Sequence, residues 1–401
     1  MYNSIQLNDN IYWLGVNDRK THLFENLWPL DNGVSYNSYL VVDEKVALID
    51  TVEKSKIDEF LSRIEEIIGK RKIDYLIINH MEPDHSGGIK EILKLHPDIK
   101  IVGNKMTFVL LTGLYNITTN HLLIAEGDTI SLGEHQLQFF MTPWLHWPET
   151  MMTYEQHTKV LFTGDAFGSF GTLNGGIFDD ELNMNFYIDE MRRYYSNIVA
   201  KYSKMVVKAM EKLQGLEIKF LASTHGPIWR SHIDWVLKLY TSWASYQAEK
   251  GVVIVFGSMY GNTEQMADII ARRLSEKGIR DIKIYDASRR HLSYLLSEIW
   301  HYKGLILGSS AYNGGVFPPI ENLTRKLEDI EIKDRLLGTF GSSGWNKAGV
   351  KGLNKWAEEM KWELVATSPE TKGAPEKNSI EQCIQMADAM AERLHELYPE
   401  I

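Results

Sequence analysis

The chain has 401 residues, 44% of them hydrophobic and 24% charged, a length that calls for two or three hydrophobic cores at about 150 residues each. A formal net charge of −10 argues against a nucleic-acid partner or an anionic membrane surface, and the lack of a long apolar run or an apolar leader points to a cytoplasmic chain. The single cysteine, Cys383 in a helical apolar pattern, reads as a packed side chain and excludes an intramolecular disulfide, an iron–sulfur cluster and a cysteine-based zinc site, so any metal must be held by histidine and carboxylates.

In chain order, residues 36–42 and 46–50 alternate in polarity and predict a hairpin turning near Asp43 and Glu44. A charged helix over 54–72 leads into an apolar strand over 73–79. Further short strands are expected at 136–142, 159–163 and 219–224, each running straight into a polar residue or a turn, and the period turns helical between 183 and 216. Glu249-Lys250-Gly251 marks the expected boundary, giving domains of 1–249 and 250–401. Beyond it, strands at 252–256, 282–285, 304–308, 336–341 and 362–366 alternate with helices at 264–277, 291–301, 317–327, 347–359 and from 379, with a polar loop over 367–379. Five such βα units predict a parallel sheet covered on both faces.

The strand over 73–79 ends in His80-Met81-Glu82-Pro83-Asp84-His85. Four ligand-type side chains in six residues at a strand-to-helix turn suit a metal, because buried charges need partners and strand ends are rigid platforms. His146, Asp165 and His225 follow other apolar runs beside Gly or Pro. A lone His or Asp at a strand end is usually a turn or capping residue; seven of them in such settings point to a metal centre. The remaining histidines, His22, His96, His121, His135, His157, His232, His291, His301 and His395, lack that context and read as surface or helix residues. Of these, His22, in the loop THLFENLWP, is the one to watch.

In the second half, the first strand is followed by Ser258, Met259, Tyr260, Gly261, Asn262 and Thr263 at the start of a helix. Hydroxyls, an amide and free backbone N–H groups at a helix N-terminus form an anion cradle. The loop carries neither a Gly-Lys-Ser/Thr phosphate loop nor a G-x-G-x-x-G fingerprint. The third strand runs into Ser310, Ala311, Tyr312, Asn313, Gly314 and Gly315, and the fourth into Ser342, Ser343, Gly344 and Trp345. Ligands of open α/β sheets bind beyond these carboxyl ends.

The order H-x-E-x-D-H, His, Asp, His resembles the metallo-β-lactamase superfamily, whose hydrolases carry H-x-H-x-D-H. Glu82 at the second position is the pattern of flavodiiron proteins. A carboxylate-rich, mixed N/O donor set suits iron better than four-coordinate zinc. The three loops resemble flavodoxin, and SYLLSEIW, YKGLILGSSAYNGGVFPP and FGSSGWNKAGVK resemble the flavodoxin half of flavodiiron proteins. The resemblance covers nearly the whole chain. It implies a mixed α/β and α+β chain: an N-terminal metallo-β-lactamase-like αββα sandwich, then a C-terminal flavodoxin-like, doubly wound five-stranded parallel sheet. No two-Cys-pair rubredoxin module is appended, so the minimal two-domain form is expected.

By that resemblance His80, Glu82 and His146 hold one non-haem iron and Asp84, His85 and His225 the other, with Asp165 and an oxo or hydroxo species bridging. The counterpart of His85 is turned away from the metal in some members, so both roles stay open for it. The first loop would bind the FMN phosphate and the other two would flank the isoalloxazine ring, with Tyr312 and Trp345 as aromatic contacts or core residues. The implied reaction is reduction of dioxygen to water, of nitric oxide to nitrous oxide, or both, with rubredoxin or another external reductant as donor. A head-to-tail homodimer or a tetramer is implied as well. Two alternatives remain: a zinc hydrolase with a fused flavodoxin domain, against which Glu82 counts, and an FMN electron carrier with an inactive metal half, against which the full ligand set counts.

Overall fold

Seven short strands build the first sheet in the order Ile5–Asn8, Ile11–Trp13, Tyr39–Val42, Val46–Ile49, Tyr75–Ile77, Lys100–Gly103 and His121–Leu123. The first four pair antiparallel and the rest parallel. A second, five-stranded sheet runs Thr129–Ser131, Gln136–Met141, Met151–Glu155, Val160–Gly164 and Phe220–Ser223. Its pairs are antiparallel except the last. Ile11, Val41, Ile49, Ile77 and Val102 of the first sheet share one buried core with Leu137, Phe139, Val160, Phe162 and Ala222 of the second, so the two sheets form a sandwich. The computed structural model describes residues 4–399, which fall into two compact units, one ending at Ala244 and the next starting at Ser245.

The helix expected over 183–216 is broken. Met184–Tyr194 gives way to a wide turn over Tyr195–Val199 and a tight one over Ala200–Tyr202 before Ser203–Leu213. The Ser196 hydroxyl and the Asn197 amide both donate to the Arg193 carbonyl, at 3.1 and 2.6 Å, and so compete with the regular backbone ladder. His135 also departs from expectation. It is 2% exposed, with Nδ1 3.1 Å from Glu155 Oε1. Burial alone would lower its pKa, but the Glu155 carboxylate outweighs burial and raises it. The residue braces the hairpin between 136–141 and 151–155 instead of lying on the surface.

The second unit is a single parallel sheet in the order Ile282–Asp286, Glu249–Gly257, Tyr302–Ser310, Leu336–Ser343 and Glu370–Lys372. The order 2-1-3-4-5 places a crevice where the winding reverses, between the first and third strands. The fifth strand is not the one expected at 362–366. That segment makes a single bridge, Leu364 to Leu337, and pairing resumes only at Glu370. Between them Ser368 turns to the Thr339 and Asn354 side chains at 2.7 and 2.9 Å, and Pro369, which lacks an N–H, cannot donate to the ladder.

Phe340 is fully buried at the centre of this unit, beside Ile254, Ile306 and Met386. A Cβ on Gly308 would enter its ring. Phe340→Ala is expected to cost about 3–5 kcal/mol, read as a lower urea midpoint, with Gly308 unable to fill the void.

Candidate functional site

Each metal-ligand candidate stands just past the end of a strand in the sandwich. Asp50, left-handed at φ 55 after Val46–Ile49, accepts from the backbone N–H of Asn79 at 2.8 Å and from the Asn79 amide at 3.1 Å. It thereby fixes the turn that delivers His80. Glu82 precedes a one-turn helix, Pro83–Ser86. Pro83 fills its first position, where the missing N–H has no partner to lose. His146 lies in a loop closed by Thr150, whose hydroxyl donates to Thr142 O at 2.6 Å and accepts from Leu145 N at 3.1 Å. Asp165 and His225 follow the adjacent parallel strands Val160–Gly164 and Phe220–Ser223. The Thr224 hydroxyl donates to Asp165 Oδ1 at 2.6 Å.

The side chains converge in two groups. In one, His80 Nε2 is 3.2 Å from Glu82 Oε2 and 3.5 Å from Asp165 Oδ2, and His146 Nε2 is 3.1 and 3.0 Å from the same two oxygens. In the other, His85 Nε2 and His225 Nε2 each lie 3.3 Å from Asp84 Oδ2. Asp165 Oδ1 is 2.8 Å from His85 Nε2 and 3.6 Å from His225 Nε2. Asp165 thus turns one oxygen to each group. His85, whose orientation the sequence leaves open, points inward.

Within the cluster, Asp165 is held ionised and His80, His85 and His146 are held protonated by their neighbours. For Asp165, burial disfavours the charge, but His85 and His80 outweigh it and hold the carboxyl well below its usual range. Burial likewise opposes charge on His85 and His146; Asp84 and Asp165 lift the first to about 9, and Asp165 and Glu82 lift the second to about 9. His80 is raised well above its ordinary value against burial, chiefly by Asp165 and Glu149. Both oxygens of Asp84, His85 Nδ1 and His225 Nε2 are buried without a well-formed hydrogen bond. Buried polar atoms left unpaired in this way, carboxylate acceptors and ring nitrogens alike, are costly unless a cation satisfies them. A mixed imidazole and carboxylate set without sulfur fits iron.

Several residues at the site carry no local sequence signal. Glu149 receives His80 Nδ1 at 2.8 Å. The Tyr194 ring lies 5.4 Å from that of His225, with its hydroxyl buried and unpartnered. Burial first, then the charges of Asp165, Glu82 and Asp84, hold that phenol protonated. Glu25 occupies a left-handed turn at φ 49; burial and repulsion from Glu82 push its carboxyl up to about 7. A cavity of about 420 Å³, lined by Phe24, Glu25, Tyr36, Glu82 and Asp84 among others, reaches both groups. His22 is exposed, offers its backbone carbonyl to Leu30 N at 2.9 Å, and is not part of that lining.

In the second unit, the loops after the first, third and fourth strands line one cleft: Ser258, Met259, Tyr260, Asn262, Ser310, Ala311, Asn313, Gly314, Ser342, Ser343, Gly344 and Trp345. Asn346, the end of the fourth loop in the sequence, lines it too, and Gly373, absent from the sequence expectation, joins them. Four expected residues do not line it. Gly261, left-handed at φ 90, donates its N–H to the Ser258 hydroxyl at 3.0 Å and so shapes the first loop. Thr263 turns inward to share a hydrogen bond with the Ser342 hydroxyl at 2.8 Å. Tyr312 and Gly315 close a tight turn through mutual backbone bonds of 3.1 and 2.9 Å. Tyr260 and Trp345 are 90% and 87% exposed, aromatic faces left bare at the rim. The Ser310 hydroxyl is buried without a partner. A polar, planar ligand with a phosphate at the helix start fits these features, as FMN would.

Comparison with known proteins agrees with both halves. The family model described as ODP family beta lactamase matches residues 34–226, and that of flavodoxin matches residues 254–396. A nitric oxide reductase of Moorella thermoacetica is 30% identical over 399 residues, covering 98% of this chain and 100% of that protein. The rubredoxin oxygen:oxidoreductase of Desulfovibrio gigas superposes with a TM-score of 0.94 at 29% identity, over 99% of this chain and 100% of its own. A variant of the flavo di-iron protein of Thermotoga maritima gives 0.90 at 28% identity, over 98% of both chains. With a lactamase-like domain and a flavodoxin domain in that order, and similarity along its whole length, the chain belongs to the flavodiiron protein family.

Proposed function

We propose that His80, Glu82 and His146 hold one iron and Asp84, His85 and His225 a second, bridged by Asp165, and that the cleft of the second unit binds FMN. Membership of the family makes the chain an oxidoreductase with a flavin and a non-haem diiron centre. The finer reading is reduction of dioxygen to water, of nitric oxide to nitrous oxide, or both. The observation that carries it is the division of Asp165 between two donor groups that open on one cavity through Glu82 and Asp84. Two metal positions side by side can receive the two ends of a diatomic. The names of the Moorella and Desulfovibrio relatives support the two gases respectively.

When bound, the irons supply electrons and Lewis acidity to the substrate's oxygens, and FMN supplies electrons singly or in pairs. The protein's own part is to shape and dry the site. The rings of Phe24, Tyr36 and Tyr194 stand 5.3, 5.7 and 5.4 Å from His225, and such an apolar wall strengthens the attraction between ligands and cations. Tyr194 holds a proton at its phenol oxygen beside the carboxylates. Ser258, Asn262 and the backbone N–H groups at the start of the helix Asn262–Glu276 serve the phosphate, while Tyr260 and Trp345 offer faces to the ring.

The proposal extends to the division of labour: residues 1–249 for iron and 250–401 for flavin, rubredoxin or another external reductant as donor, and a head-to-tail homodimer or tetramer in the cytoplasm. The Desulfovibrio relative's name supports the donor. Among the described residues no helix is long and apolar enough to cross a membrane. Stopped-flow mixing of the reduced protein with dioxygen or nitric oxide, with rubredoxin as donor, tests substrate and partner together. Oxidation within the turnover time by at least one gas is expected. Stoichiometric zinc with no turnover of either would restore the hydrolase reading, and a monomer with full turnover would overturn the dimer.

A further inference from the structure

His80 is fully buried, so both of its ring nitrogens must find partners inside the protein. Nε2 faces Glu82 and Asp165. Nδ1 lies 2.8 Å from Glu149 Oε1, and the same oxygen accepts the backbone N–H of Met81 at 2.8 Å. Glu149 is itself fully buried. Its carbonyl is held by the Asn104 amide at 2.6 Å, and its Oε2 has no partner. With an anionic acceptor there, the ring of a metal-bound His80 keeps its hydrogen on Nδ1 and presents the Nε2 lone pair to the cation.

The other group is built differently. His225 Nδ1 lies 2.8 Å from the Ser35 backbone carbonyl, a neutral dipole. His85 Nδ1 is buried with no partner at all. A carboxylate makes an imidazole a stronger donor than a carbonyl does, and a ring whose Nδ1 has no partner lacks the contact that would fix its tautomer. A buried carboxyl with one oxygen unpartnered is also costly, and its placement behind His80 is what gives it a use at the metal.

We infer that Glu149 is a positioning residue acting through the His80 ring, and that it makes the two metal positions unequal. The cation among His80, Glu82 and His146 is held more tightly; the one among Asp84, His85 and His225 leaves first. This rests on the diiron reading above. Glu149 touches neither metal nor substrate.

The test is iron release from the purified, two-iron protein to the ferrous chelator ferrozine after reduction. Wild type is expected to release its iron in two phases, one ion in each. Glu149→Gln keeps an acceptor oxygen for both donors and removes only the charge. It is expected to speed the slow phase about 10–100-fold while leaving the fast phase and the FMN absorbance unchanged. Glu149→Ala, which also removes the acceptor, is expected to lose the slow-phase iron during purification, so Gln ranks between Ala and wild type. A single phase in wild type, or an unmoved slow phase in Glu149→Gln, overturns the inference. A wild-type protein that binds no iron overturns the diiron reading instead. Should Glu149→Ala fail to accumulate, Glu149→Gln against the wild-type phases decides it.

Discussion

Asp165→Ala is expected to empty both iron positions and to lower reduction of dioxygen or nitric oxide by roughly 10³-fold or more, while the FMN spectrum stays intact. Its two oxygens address different groups, Oδ1 at 2.8 Å from His85 and Oδ2 at 3.0 Å from His146. Loss of the side chain removes a donor from each and the carboxylate shared between the imidazoles. The estimate follows from several kcal/mol of charge stabilisation by a catalytic metal, at about 1.4 kcal/mol per factor of ten. Iron analysis and flavin absorbance on one sample check it. Glu82→Ala, which touches only the His80 and His146 side, is expected to abolish turnover while the other iron remains. Unchanged turnover in either variant would favour a flavin-only carrier.

The second large effect is on pH. In the metal-free protein His85 and His146 hold protons up to about pH 9, and iron must displace them. Iron affinity is therefore expected to rise with pH, about tenfold per unit for each proton displaced, with the His85 and His146 contributions ending near 9. Isotherms at several pH values, with an indicator dye counting released protons, measure both the slope and its origin; a flat profile with no proton release would contradict it. The same groups contribute to the pH dependence of folding. Their raised folded-state values contribute stability that is fully present below the ordinary 6.5 and is lost as pH rises through about 9. The metal-free protein is thus expected to melt earlier at pH 10 than at pH 7. With iron bound these imidazoles are neutral throughout, and that dependence disappears.

The H-x-E-x-D-H motif was legible because its ligands are neighbours in sequence, and His146, Asp165 and His225 because each follows an apolar strand and precedes a turn. Glu149 was not: it meets Met81 and His80 across 68 and 69 positions, and in the phrase WPET it reads as an ordinary turn residue. Asp50 was hidden as the polar end of a hairpin strand, and Tyr194 as one more aromatic on a helical stripe. The inward orientation of His85 depends on the surrounding packing, which residue type does not encode. In the flavin half the loops were readable from strand ends, but Thr263 and Tyr312 were not separable from the cleft lining without their partners, Ser342 and Gly315. Parallel strands were found by their apolar runs; the fifth was misplaced because 362–366 carries the apolar pattern while 370–372 carries the pairing.

That displaced fifth strand bears on solubility. The outer border of the parallel sheet presents three paired residues, Glu370, Thr371 and Lys372, after a gap in pairing that follows Leu364. A long, flat border would offer its free N–H and C=O groups to a strand of another molecule and seed cross-β growth. Here the run is too short to template such an addition, and its polar residues resist it. The opposite border, Ile282–Asp286, carries Lys283 and Asp286 within its five residues. Both ends of the sheet are therefore guarded against self-assembly, and straightening one of them, for example by replacing Pro369 with Val, would trade that protection for a longer adhesive edge.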